Sequence, residues 1–168
     1  STCLKHNKKL LLTMIKNLLF DLGGVILDID RMKCISAFRT IGMPHPEELL
    51  GDYGQKGPFL ALERGEITPG KFRRQLRIYF EPPVTDEDIY RAFCEFLRGI
   101  PVRRLHDIEH LRDRGFRTYL LSNTNLLMWQ RYILPEFRKD GHDISHYFDG
   151  IITSFEVKAY KPDPAIFT

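Results

Sequence analysis

The stretch Ile15-Lys16-Asn17-Leu18-Leu19-Phe20-Asp21-Leu22-Gly23-Gly24-Val25 decides how the rest of this 168-residue chain is read. An apolar run from Ile15 to Phe20, closed by glycines, has the pattern of a buried strand in a parallel sheet. Asp21 stands at the carboxyl end of that strand. Gly23 and Gly24 let the backbone approach a ligand closely. Val25-Ile26-Leu27 prolongs the apolar character until Asp28-Ile29-Asp30 breaks it.

Moving outward, the next seventy residues carry only helical patterns. Cys34/Ile35, Phe38 and Ile41 mark one helix, closed by Pro44 and Pro46. Pro58 to Leu62 marks a shorter one. Thr68 reads as an N-cap with Pro69 at the first helical position, ahead of Phe72, Leu76 and Tyr79/Phe80. Thr85 and Asp88 have the spacing of a capping box before Ile89, Ala92/Phe93 and Phe96/Leu97. After Pro101 the pattern changes. Val102, Leu105 and Ile108 predict an amphipathic helix ended by Gly115. Thr118-Tyr119-Leu120-Leu121 predicts a second buried strand, a helix follows from Leu126 to Ile133, and Ile151-Ile152-Thr153 predicts a third strand. Ala165-Ile166-Phe167 reads as the first turn of another helix. Strands alternating with helices imply an α/β fold with a parallel, Rossmann-like sheet, interrupted by a helical insert at residues 31–99.

Composition narrows the function classes. Hydrophobic residues make up 43% of the chain and charged residues 28%, a globular balance, and no apolar stretch approaches the ~20 residues of a membrane span. The net charge of +3 comes from Lys5, Lys8 and Lys9, so residues 14–168 balance and lack the basic footprint of a nucleic-acid binder. Cys3, Cys34 and Cys94 form no C-x-x-C pair, which points to a reducing, cytoplasmic setting with no disulfide frame. Residues 1–13 read as an extension ahead of a natural start at Met14.

Ligands of open α/β sheets bind beyond the carboxyl ends of the strands. Asp21, Ser122 and Lys161 fall at or beyond the ends of the three strands. A carboxylate nucleophile, a hydroxyl and a cation suit phosphoryl transfer through an aspartyl-phosphate, with Mg²⁺ to offset repulsion between carboxylate and phosphate. Each residue alone would be an ordinary turn or cap. The combination is what carries the reading.

Three strings, Phe20-Asp21-Leu22-Gly23-Gly24-Val25, Leu120-Leu121-Ser122-Asn123-Thr124-Asn125 and Lys161-Pro162-Asp163-Pro164-Ala165-Ile166-Phe167, resemble the first three motifs of the haloacid dehalogenase-like (HAD) hydrolases. The resemblance runs from Met14 onward, and the insert at 31–99 matches that superfamily's helical cap, leaving 14–30 and 100–168 as the α/β core. Within the superfamily the motifs are most similar to the α-glucose-1-phosphate phosphatase branch. The resemblance implies Asp21 as nucleophile and Mg²⁺ ligand, and the Gly23 carbonyl as a second metal ligand. It implies that Ser122 and the Asn123 backbone hold the phosphoryl group and that Lys161 neutralises it. The expected function is Mg²⁺-dependent hydrolysis of a small phosphorylated metabolite such as a sugar phosphate. A metal-independent dehalogenase and a phosphate-binding pseudophosphatase are the alternatives.

Two departures from the family pattern matter. The general acid two residues after the nucleophile is replaced by Gly23, so the leaving-group proton must come from water, the cap or the substrate. The acidic fourth motif would lie past Thr168, and the chain is read as a C-terminally truncated, inactive fragment. Other features have plainer readings. His106-Asp107-Ile108-Glu109-His110 fits a zinc-peptidase pattern by chance on a wet helix face. Arg73, Arg74 and Arg77 read as a solvated charged face, Cys34 and Cys94 as buried small hydrophobes, and Asp28 and Asp30 as linker residues.

Overall fold

The computed structural model describes residues 15–51, 54–81 and 83–167; the readings of residues 1–13 and Cys3 lie outside them. Five strands form among the described residues: β1 (Asn17–Phe20), β2 (Asp28–Ile29), β3 (Leu97–Gly99), β4 (Arg117–Ser122) and β5 (Gly150–Thr153). A parallel sheet has the order β1-β4-β5, with Phe20 opposite Leu120 and Ser122 opposite Thr153. This is the α/β architecture expected. The central strand is β4, where Thr118, Leu120, Leu121 and Ser122 are all buried.

β1 departs from expectation. It is half-exposed rather than buried, with Leu19 56% accessible and its neighbours alternating. Among the described residues β1 pairs only with β4, so its continuous apolar run is covered on one face only. Phe20 turns inward and meets Phe148 edge-on at 6.3 Å.

Between β2 and β3 lie α1 (Arg31–Thr40), α2 (Gly57–Glu63), α3 (Pro69–Leu76) and α4 (Asp86–Cys94). The expected caps form. Thr68 Oγ1 accepts from the Lys71 N–H, and Thr85 and Asp88 exchange the reciprocal bonds of a capping box. The apolar faces of the four helices converge on Phe38, Phe59, Phe72 and Phe93, whose rings lie 5.0–6.3 Å apart. Such aromatic packing gives the helical region its own centre. Arg73 and Arg77 are not simply solvated; both pair with Asp86 in the first turn of α4.

β2 and β3 pair antiparallel, Asp28 opposite Gly99 and Ile29 opposite Leu97, a ladder too short to leave a sequence pattern. After β3 come α5 (Val102–Asp113), then β4, then a helical stretch that departs from the single helix expected. It comprises α6 (Leu126–Met128), a π turn at Trp129–Ile133 and α7 (Leu134–Phe137). Pro135 has no N–H to give the Arg131 carbonyl, which a regular helix would require. That carbonyl instead accepts from the Tyr90 hydroxyl of α4 at 3.3 Å. Short helices α8 (Ile144–Tyr147) and α9 (Ser154–Val157) flank β5. No helix among the described residues is long and apolar enough to cross a membrane.

Candidate active site

Parallel pairing brings the carboxyl ends of β1, β4 and β5 to one edge of the sheet, and the residues singled out from the sequence gather there. Lys161 Nζ lies 2.7 Å from Asp21 Oδ1 and also donates to the Leu121 carbonyl at 3.1 Å. The Leu22 N–H donates to the same Oδ1 at 2.7 Å. Among the described residues no hydrogen bond or ion pair takes Oδ2. Asn123 fixes the Lys161 loop with two bonds: Oδ1 accepts from the Lys161 N–H at 2.8 Å, and Nδ2 donates to the Lys161 carbonyl at 3.0 Å. A cis peptide at Lys161-Pro162 completes that loop.

Asp21, Gly23, Asn123 and Lys161 line an open cavity of about 500 Å³. Ser122 does not. It lines a smaller adjoining cavity of about 40 Å³, together with Gly23 and Asn123. A larger groove of about 710 Å³ runs along α2 and α3, but its lining contains no carboxylate.

The opposite wall of the cavity comes from the helical region and was not anticipated. Glu63, at the end of α2, lines both site cavities and is only 8% exposed. Burial pushes its carboxyl up to about 7, partly offset by a hydrogen bond from the Tyr160 hydroxyl. Tyr160, the residue before Lys161, lines the same cavity, and its own ionisation is raised by burial and by Glu63. A signal was present in the sequence. Glu63 follows Phe59 by four residues and so falls on the apolar face of α2, an unusual place for a carboxylate.

α2 is held over the site by close backbone contact. Ser154 Oγ donates to the Glu63 carbonyl at 2.6 Å and accepts from the Thr124 N–H at 3.0 Å. Gly65 follows at φ +66°, and a Cβ there would lie 2.1 Å from the Phe155 carbonyl oxygen. Only glycine fits that turn and that approach.

The histidine pattern on α5 is resolved differently from a zinc motif. His106 pairs with Asp140 at 3.0 Å and Glu109 with His146 at 2.8 Å, while His142 stacks on His146 at 3.9 Å. His110 joins none of these contacts. Cys34 is fully buried and its thiol is pushed up by desolvation; Cys94 is half-buried and raised for the same reason.

A family model for haloacid dehalogenase-like hydrolases matches residues 15–168. The chain belongs to this family. It is 38% identical over 154 residues to a D-ribitol-5-phosphate phosphatase of Bacteroides thetaiotaomicron, covering 92% of this chain and 74% of that one. It is 27% identical over 157 residues to a phosphorylated carbohydrates phosphatase of Thermotoga maritima, covering 89% and 66%. Among solved structures, a HAD family enzyme of B. thetaiotaomicron is similar with a TM-score of 0.86 and 38% identity, over 91% of this chain and 75% of that one. That structure is of an aspartate-to-alanine variant in complex with magnesium and inorganic phosphate. A predicted HAD-like family hydrolase of Porphyromonas gingivalis gives a TM-score of 0.81 at 36% identity, over 92% and 73%. The shared HAD fold accounts for the topology above, with Asp21 at the end of the first strand and a helical region between β2 and β3.

Proposed function

We propose that this HAD hydrolase is a Mg²⁺-dependent phosphatase that removes phosphate from a phosphorylated sugar or sugar alcohol through an aspartyl-phosphate on Asp21. The observation that carries the reading is the Asp21–Lys161 pair, 2.7 Å apart at the strand ends beside the Ser122-Asn123 turn. It sets a carboxylate beside a cation at the strand ends, with the Ser122 side chain in the adjoining recess. The magnesium and phosphate complex of the B. thetaiotaomicron relative and the substrates named for the two curated relatives support the same chemistry.

Asp21 attacks phosphorus in line with the leaving oxygen, and the Lys161 ammonium stabilises charge on the equatorial oxygens. Ser122 Oγ and the Asn123 N–H hold the phosphoryl group. The Asp21 carboxylate and the Gly23 carbonyl are hard oxygen donors of the kind Mg²⁺ prefers, and they line the same cavity. When bound, the cation lowers the repulsion that an anionic nucleophile meets at a phosphate. The helical region at 31–99 acts as a cap that chooses the leaving group. α-Glucose 1-phosphate and ribitol 5-phosphate head the substrates to compare.

The test is phosphate release from such a panel and from p-nitrophenyl phosphate. Asp21→Asn keeps the shape but removes the nucleophile, and turnover of every substrate should drop by roughly 10³-fold or more. EDTA should abolish activity and Mg²⁺ restore it. Near-normal hydrolysis by Asp21→Asn would reject the assignment, and chelator-resistant hydrolysis of a haloacid would favour the dehalogenase alternative.

A further inference from the structure

With glycine two residues after the nucleophile, the core offers no carboxyl at the position the family uses for its general acid. The geometry points to Glu63 as the acid–base catalyst of this site, supplied by the cap helix α2 in place of the missing core residue. This inference rests on the phosphatase reading above and adds a residue to it.

Three observations support it. Glu63 lines the cavity that holds Asp21 and Lys161, and it also lines the adjoining small cavity with Gly23 and Ser122. Gly23 lines both cavities as well, and a Cβ built there meets nothing closer than Ile29 at 3.7 Å, so the space a general acid would fill on the core side is open. Second, the backbone that carries it is fixed by the Ser154 bond to its carbonyl and by the close glycine approach at Phe155. Third, its surroundings keep the carboxyl able to hold a proton near neutrality. Besides Tyr160, the charged groups on the cavity wall are Asp21, Arg31 and Lys161. Burial is the main cause and carries the Glu63 carboxyl up to about 7. A general acid works best when its pKa lies near the working pH.

The step balances as follows. Asp21 Oδ forms a bond to phosphorus while the bond from phosphorus to the leaving oxygen breaks. The Glu63 carboxyl gives its proton to that oxygen, releasing an alcohol and leaving a carboxylate. A water then attacks the aspartyl-phosphate, its proton passes to Glu63, and the bond from phosphorus to Asp21 breaks. Inorganic phosphate leaves, Asp21 is again a carboxylate and Glu63 is again protonated.

A purely structural role would be a latch between cap and core through Tyr160. Glutamine in place of Glu63 can still accept from the Tyr160 hydroxyl but cannot donate a carboxyl proton, so Glu63→Gln separates the two roles. The intact protein with Mg²⁺ is assayed on ribitol 5-phosphate, whose alkoxide is a poor leaving group, and on p-nitrophenyl phosphate, whose phenolate leaves with little help. In a single turnover Glu63→Gln should slow release of the sugar alcohol by about 100-fold and release of the aryl alcohol by less than 10-fold. The alkaline fall in kcat on ribitol 5-phosphate should vanish with it. Asp21→Asn, run beside it, should lose both substrates; if it does not, the phosphatase reading fails on its own. Equal losses on both substrates in Glu63→Gln, or a change confined to KM, would overturn the acid–base role while leaving the nucleophile in place. Matching thermal melts of the variant and the native protein exclude unfolding as the cause.

Discussion

The two walls of the catalytic cavity hold their charged groups in opposite ways. On the core wall Asp21 is half-exposed and balanced by a cation at 2.7 Å. On the cap wall Glu63 is buried, no cation among the described residues pairs with it, and desolvation favours its neutral form. Partnering by a cation suits a carboxylate that must attack phosphorus. Burial suits one that must give up a proton. In the mechanism proposed above, two carboxylates of similar intrinsic acidity thus take different tasks according to their surroundings.

The comparison can be broken most severely at the contact that positions the cap wall. Gly65→Ala places a Cβ against the Phe155 carbonyl and a non-glycine residue at φ +66°, so the α2 terminus must withdraw from the core. The expected loss is about 3–4 kcal/mol in urea unfolding, with turnover of the sugar phosphate falling alongside. A variant as stable as the native chain would show that this close approach does not hold the cap wall.

A somewhat smaller effect tests the burial of Glu63 itself. Its folded-state carboxyl is raised from the usual 4.5 to about 7. Below about pH 4.5 both folded and unfolded chains carry the proton, and the contribution to stability is complete. As pH rises through 7 the unfolded chain has already released it while the folded chain must ionise a buried group, so stability falls. The change approaches about 3 kcal/mol by linkage. Subtracting the urea stability of Glu63→Gln from that of the native protein at pH 5 and at pH 8 isolates it. A difference that stays constant with pH would place Glu63 in water rather than in the wall.

The smallest effect probes the core wall. Asn123→Ala removes both side-chain bonds to the Lys161 backbone, which should cost about 2 kcal/mol and loosen the lysine from Asp21. KM for phosphate esters should rise more than kcat falls. If neither stability nor KM moves, the cis-proline loop is held by groups other than Asn123.

The core wall was legible because a strand end is a local feature: an apolar run stops, and the next polar residue faces the ligand. Asp21, Ser122 and Asn123 could be placed that way, and Lys161 by its loop after the third strand. Ser122 lies in the smaller cavity because whether a strand-end side chain enters one recess or the next depends on packing. Glu63 and Tyr160 escaped the reading because their meeting joins positions nearly a hundred residues apart, and only the folded cap brings them together. The exposure of β1 escaped it too, since an apolar run reports hydrophobicity but not how many neighbours a strand acquires.

The β2–β3 ladder has a wider consequence. The chain leaves the core at Ile29 and returns opposite it at Leu97, one strand spacing away. In topological terms the whole four-helix region is the loop of a single hairpin. Its two connections are zipped into one strap, so the region can be exchanged like a cassette, or shortened to a tight turn, without rerouting the sheet that carries Asp21.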